Sequence, residues 1–217
     1  MLIVHMAGRR VGAWRAVIAA MVLAPLMLVA AHAAEDFEFA EGIEYERIEP
    51  PVTGVASNEV VELFWYTCPH CYTMDPMVKR WLEDKPETVT FRKMPAVFNN
   101  GRGQFFAKVF YAAESLDVLE RIHLPLFRAL HDENRQLRSI QQVADFMVEH
   151  GVEREEFLRA FDSFVVDMRV RQAMQFTERA GIGGVPSFVI GGRYRTAASM
   201  TGSYGRTFAV AEYLAQR

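Results

Sequence analysis

Cysteine is nearly absent from this chain: its 217 residues hold two, Cys68 and Cys71. A structural zinc site usually needs four Cys or His ligands. There is no third cysteine, and His5, His32, His123, His131 and His150 show no paired short spacing. No metal is therefore expected. Covalent haem attachment needs His directly after the second cysteine, and here that residue is Tyr72. Long apolar runs are equally scarce. The one candidate, Ala16 to Ala30, is interrupted by Pro25 and is short of the roughly 20 residues a bilayer span requires. Internal repeats and low-complexity segments are missing altogether.

That apolar run belongs to a leader pattern. Arg9, Arg10 and Arg15 precede it, and Ala31-His32-Ala33 follows as an A-x-A cleavage site. The expectation is a secretory signal peptide over residues 1–33, cleaved after Ala33, rather than an uncleaved anchor. No cysteine near the site offers a lipid attachment point, and Arg9-Arg10 lacks the context of a twin-arginine signal. The leader holds three arginines and no acid, so the remainder carries 21 basic against 27 acidic side chains, a formal charge of −6. A chain of that sign has no general attraction for nucleic acid. Export also sets the redox compartment, because outside the cytoplasm a disulfide persists.

The two cysteines lie in Phe64-Trp65-Tyr66-Thr67-Cys68-Pro69-His70-Cys71-Tyr72. An apolar β-type run, Val60 to Tyr66, leads into them, and a helix-compatible run from Pro69 to Leu82 follows. Cys68 then falls at the helix start, where free amide N–H groups stabilise a thiolate. Pro69 suits the first helical position because its missing N–H costs little there. His70, when protonated, adds a cation beside the sulfur. Cys71, one turn in, is expected to be more buried and less reactive. A purely structural bridge is the competing interpretation. A loop this small gains little from closure, which favours redox use.

Around this stretch the periodicity switches twice. Gly42 to Pro51 reads as a short edge strand ended by two prolines. Val60 to Tyr66 reads as a central strand whose one charge, Glu62, shares a face with Phe64 and Tyr66. Pro76 is expected to kink the helix after Cys68. Val89 to Met94 completes a βαβ unit. From Asn99 to Ala180 the pattern is helical: Phe106 to Leu116, Leu119 to His131 with a break before Pro125, Ser139 to His150 opened by a capping box, Glu153 to Phe161, and Ser163 to Ala180. Their apolar and methionine stripes read as core. Strand signal then returns in Phe188 to Ile190, with Gly191-Gly192 as a hairpin turn and Arg193 to Arg195 as the return. Gly202 to Gln216 closes the chain as a helix. The expected fold is α/β and thioredoxin-like, built from residues 34–98 and 181–217, with a helical insertion over 99–180 whose last helix bridges back to the sheet.

Cys68-Pro69-His70-Cys71-Tyr72, the downstream Val185-Pro186, the run Ser163-Phe164-Val165-Val166 and the inserted helices together resemble the DsbA family of exported thiol:disulfide oxidoreductases. The resemblance implies a protein dithiol oxidase with no cofactor. Cys68 would be the nucleophile, Cys71 its resolving partner, and His70 a stabiliser of the thiolate. Pro186 would be a cis-proline facing the disulfide, and Val185 the backbone that holds substrate. Glu62 and Lys93 match a charged pair beneath the family's active site; the plainer alternative is an edge acid and a solvated lysine. Implied partners are reduced, unfolded exported proteins and a quinone-linked membrane reoxidase, DsbB. Pro76 and Trp65-Tyr66-Thr67 depart from the family's best-known members. The rivals are a disulfide isomerase or reductase on the same fold, and a non-catalytic chaperone. Family isomerases carry an N-terminal dimerisation domain, for which residues 34–42 leave no room, so a monomer is expected.

Overall fold

The computed structural model describes residues 39–98 and 101–217; the expected leader lies outside them. Five strands form one sheet: β1 (Glu46–Arg47), β2 (Glu59–Phe64), β3 (Thr90–Pro95), β4 (Ser187–Ile190) and β5 (Tyr194–Ala197). Their spatial order is β1-β5-β4-β2-β3. Of the paired strands only β2 and β3 run parallel, and the crossover helix α1 (Pro69–Asp84) joins them. The β4–β5 hairpin turns on Gly191 and Gly192, both at positive φ. A Cβ on Gly192 would collide with the Val52 carbonyl oxygen, and one on Gly191 would lie 2.8 Å from that of Ser57, so the close approach and the φ both demand glycine.

Five helices occupy the span between β3 and β4: α2 (Gly101–Ser115), α3 (Leu119–His131), α4 (Ile140–Glu149), α5 (Arg154–Phe161) and α6 (Phe164–Arg179). Their apolar stripes make one core with part of the sheet, around Phe64, Phe110, Leu126, Phe127, Phe146 and Phe157. A second core lies between other sheet residues, the outer part of α1 and the last helix, α8 (Tyr204–Ala215), around Val60, Met74, Val78, Phe188, Val210 and Leu214. The capping box that opens α4 is present: the Ser139 hydroxyl accepts from the Gln142 amide, and the Gln142 side chain accepts from the Ser139 amide. No helix among the described residues is long and apolar enough to cross a membrane.

Several local expectations need correction. The edge strand is two residues, not ten. Gly42 turns the chain, its amide bonding the Tyr45 carbonyl at 2.7 Å, and Pro50 and Pro51 offer no donors, so only Glu46 and Arg47 pair with β5. α3 runs unbroken through Pro125. The carbonyl left without its amide partner belongs to exposed Arg121, where water can bond it, while Ile122, Leu126 and Phe127 hold the helix against the core. α1 also continues past exposed Pro76 as one helix, which leaves the expected kink at that residue neither shown nor contradicted. The return strand starts one residue later than expected. A single turn, α7 (Ala198–Thr201), ends at Gly202, and the last helix starts only at Tyr204, capped by Ser203.

Candidate active site

The β2–α1 junction places Cys68 at the cap of the helix, with extended backbone (φ −92°, ψ 117°). Its sulfur accepts from the Cys71 amide at 3.4 Å, and Pro69 takes the first helical position as expected. Cys68 is partly exposed; Cys71 is fully buried, its sulfur accepting from the Trp65 amide at 3.5 Å. Both are free thiols in this structure. Across from them, Val185–Pro186 is a cis peptide, and the Val185 carbonyl receives the Cys68 thiol at 3.6 Å.

The two sulfurs differ sharply in acidity. A hydrogen bond from the Cys71 thiol is the main reason the Cys68 pKa falls from 9.0 to about 6. Burial opposes the shift, while the amides of Cys71 and His70 reinforce it. The charge of exposed His70 contributes least, so the helix start outweighs the imidazole. Burial pushes Cys71 far in the other direction, and the hydrogen bond it gives to Cys68 adds to that.

Beneath Cys71 lies a charged cluster larger than the expected pair. Parallel register sets Glu62 of β2 opposite Lys93 of β3, so both project to one face. Lys93 Nζ is 3.8 Å from Glu62 Oε2, too far for a hydrogen bond, and that buried oxygen has no hydrogen-bond partner among the described residues. Lys93 instead pairs closely with Asp75 of α1 and lies 3.0 Å from His123 Nε2. Burial raises the Glu62 carboxyl more than Lys93 lowers it. Asp75 is also penalised by burial, but the His123 hydrogen bond and the Lys93 charge outweigh that and hold it at about 2. Asp75 and His123 were not anticipated. The only sequence clue to Asp75 was its position four residues after Cys71, on the same helix face; His123 left no local signal.

A groove of about 980 Å³ runs from His70 past Val185 and Pro186 to Met77, Met200 and Tyr204. The Tyr204 hydroxyl reaches the His70 ring and carbonyl at 3.4 Å. Arg195 fixes the chain leading into Val185: it donates to the carbonyls of Ala180 (3.0 Å) and Gly181, and its Nε donates to Glu46 at 2.8 Å.

A thioredoxin-like sheet that presents an acidic C-x-x-C sulfur at a helix start, opposite a cis-proline loop, defines a thiol:disulfide oxidoreductase. Comparison with known proteins agrees. Residues 59–205 match the DSBA-like thioredoxin domain family. The thiol:disulfide interchange protein DsbA of Azotobacter vinelandii is 35% identical over 167 residues, covering 77% of this chain and 78% of that protein. The crystal structure of Pseudomonas aeruginosa DsbA superposes with a TM-score of 0.77 at 34% identity, over 82% of this chain and 94% of that one. That of the Xylella fastidiosa oxidoreductase DsbA gives 0.73 at 29% identity, over 80% and 94%. The chain belongs to the DsbA family, and it is a protein dithiol oxidase of the thiol:disulfide interchange type.

Proposed function

We propose that this protein, exported to the periplasm after loss of residues 1–33, donates a Cys68–Cys71 disulfide to reduced, unfolded exported proteins. A substrate thiolate bonds to the Cys68 sulfur, and the electron pair of the broken disulfide leaves on Cys71. A second substrate thiolate then attacks the mixed disulfide and releases Cys68 as a thiolate. The observation that carries this reading is the asymmetry of the two sulfurs: Cys68 is partly exposed with a pKa near 6, and Cys71 is buried and weakly acidic. A low-pKa leaving thiolate speeds release and stabilises the reduced enzyme, which makes the protein an oxidant.

Other parts follow from the arrangement. Val185 and Pro186 line the groove beside Cys68. Main-chain bonding to an extended substrate there would accept many sequences. Glu62, whose carboxyl is raised by burial more than Lys93 lowers it, is the proton donor for the departing Cys71 thiolate, with Lys93 beside it. Reoxidation falls to a quinone-linked membrane partner of the DsbB type. The test is turnover of a reduced, unfolded protein: wild type restores its disulfides and Cys68→Ser does not. Equal activity in the two would refute the proposal, and preference for scrambled over reduced substrate would mark an isomerase instead.

A further inference from the structure

Helix α3 of the insertion meets the chain on both sides of Cys68-Pro69-His70-Cys71, and it does so with one stripe. His123, Phe127 and His131 are spaced by four residues and so share a face. On the near side, the Tyr66 hydroxyl lies 2.8 Å from His123 Nδ1, and the Tyr66 ring lies 5.0 Å from that of Phe127. On the far side, the Tyr72 ring lies 5.8 Å from Phe127 and stacks on His131, with centroids 5.1 Å apart and planes within 8°. The Tyr72 hydroxyl donates to Asp132 at 2.5 Å. His131, half-buried at the end of α3, also reaches back across the site: its Nε2 lies 2.7 Å from the Tyr66 carbonyl oxygen.

A carbonyl oxygen can only accept, so the Nε2 of His131 carries a proton and donates it. The peptide it holds occupies a sensitive place. Residues 65–68 form a four-residue turn closed by the Cys68 amide on the Trp65 carbonyl at 3.2 Å. The Tyr66–Thr67 peptide is the centre of that turn, and the turn's own hydrogen bond leaves its carbonyl without a donor. Any rotation of that peptide is carried through Thr67 to Cys68. The Cys68 sulfur in turn depends on contacts at 3.4 Å from the Cys71 amide and 3.6 Å to the Val185 carbonyl. The groups that favour its thiolate, the Cys71 thiol and the amides of Cys71 and His70, all belong to α1. A misplacement on the order of 1 Å between the turn and α1 is enough to impair chemistry of this kind.

We propose that His131 is a positioning residue of the exchange reaction: its Nε2–H holds the Tyr66 carbonyl, and so fixes the turn that delivers the Cys68 sulfur to the start of α1 and to Val185. This rests on the reading of Cys68 as the sulfur that substrate attacks and that later leaves. The two functions of the ring are separable. The face of the imidazole packs on Tyr72 and holds α3 to α1, as any aromatic ring there could. The Nε2–H alone sets the turn. His131 touches no reacting atom, and its effect is exerted entirely through where the Tyr66–Thr67 peptide puts Cys68.

The test is a crossed pair of substitutions in the full chain. His131→Phe keeps the stack and loses the donor; His131→Gln keeps a donor and loses the stack. Two quantities are read: the pH midpoint of Cys68 alkylation by iodoacetamide in the reduced protein, and its equilibrium with glutathione. His131→Phe should raise the midpoint by about half a unit to one unit, the size expected for one hydrogen bond. It should also shift the glutathione equilibrium about two- to sixfold towards the oxidised protein at pH 7. His131→Gln should leave both close to wild type, whatever it does to the melting temperature. A lowered melting temperature in His131→Phe with both readouts unmoved marks a purely structural ring and overturns the proposal, as does a shift in His131→Gln as large as that in His131→Phe. Should His131→Phe fail to fold, the Gln criterion still applies, and the imidazole nitrogen NMR spectrum of the wild type must show the proton on Nε2; a proton on Nδ1 alone overturns the assignment. Cys68→Ser abolishing turnover beside a silent His131→Phe would leave the oxidase reading intact and sink only the part given to His131.

Discussion

The depressed acidity of Cys68 ties the stability of the reduced protein to pH. Its folded pKa is about 6 against an ordinary 9.0, with the hydrogen bond from the Cys71 thiol as the largest cause. At about 1.36 kcal/mol per unit, that difference corresponds to ~4 kcal/mol. The sulfur is only partly buried, and solvent screening roughly halves the figure, to about 2 kcal/mol. For a group whose folded pKa is lowered, this stabilisation is complete above the unfolded pKa and is lost as pH falls through the folded one. About a third of it, ~0.7 kcal/mol, is present at pH 7. Cys71 is raised, chiefly by burial, so it stays protonated in both folded and unfolded chains up to about pH 7.5 and offsets the gain by only a few tenths of a kcal/mol near pH 8.5. The assay is urea unfolding of reduced and oxidised protein at about pH 5.5, 7 and 8.5; the reduced form should gain ~1.5 kcal/mol on the oxidised across the series. At pH 7 the same term makes the couple about 15 mV more oxidising. A difference between the two redox forms that stays flat with pH would refute the account of the thiolate.

Arg195→Ala removes two carbonyl contacts at the end of α6 and the Glu46 pair. It should destabilise the fold by about 1–3 kcal/mol and slow substrate oxidation, read by thermal melts and by turnover. Gly192→Ala places a Cβ against the Val52 carbonyl at positive φ; a loss of about 1–3 kcal/mol in urea is expected, with Cys68 alkylation unchanged. Ser139→Ala deletes the cap of α4 and should cost about 1 kcal/mol, again measured by urea unfolding.

Local features were legible in the sequence because their causes are local. The strand–Cys68–Pro69–helix junction, the capping box at Ser139 and the Gly191-Gly192 turn each depend on neighbours a few residues apart, and the structure places all three. The edge strand was misjudged because its length depends on a partner 147–149 positions away in β5. Pro125 misled because tertiary burial of Ile122, Leu126 and Phe127 overrode the loss of one helical hydrogen bond.

The order of residues alone established a redox-active C-x-x-C at a helix start, two halves of a thioredoxin-like sheet and helices between them, because alternation and capping are encoded over short spans. Only the folded chain decided what surrounds Cys71. Asp75, Lys93 and His123 come from α1, β3 and α3 and meet through sheet register and helix packing, and no spacing in the chain announces a distance set by those. The same packing seats Lys93 closely against Asp75 and holds it in a looser ion pair, 3.8 Å from Glu62 Oε2, which leaves that buried oxygen without a hydrogen-bond partner among the described residues.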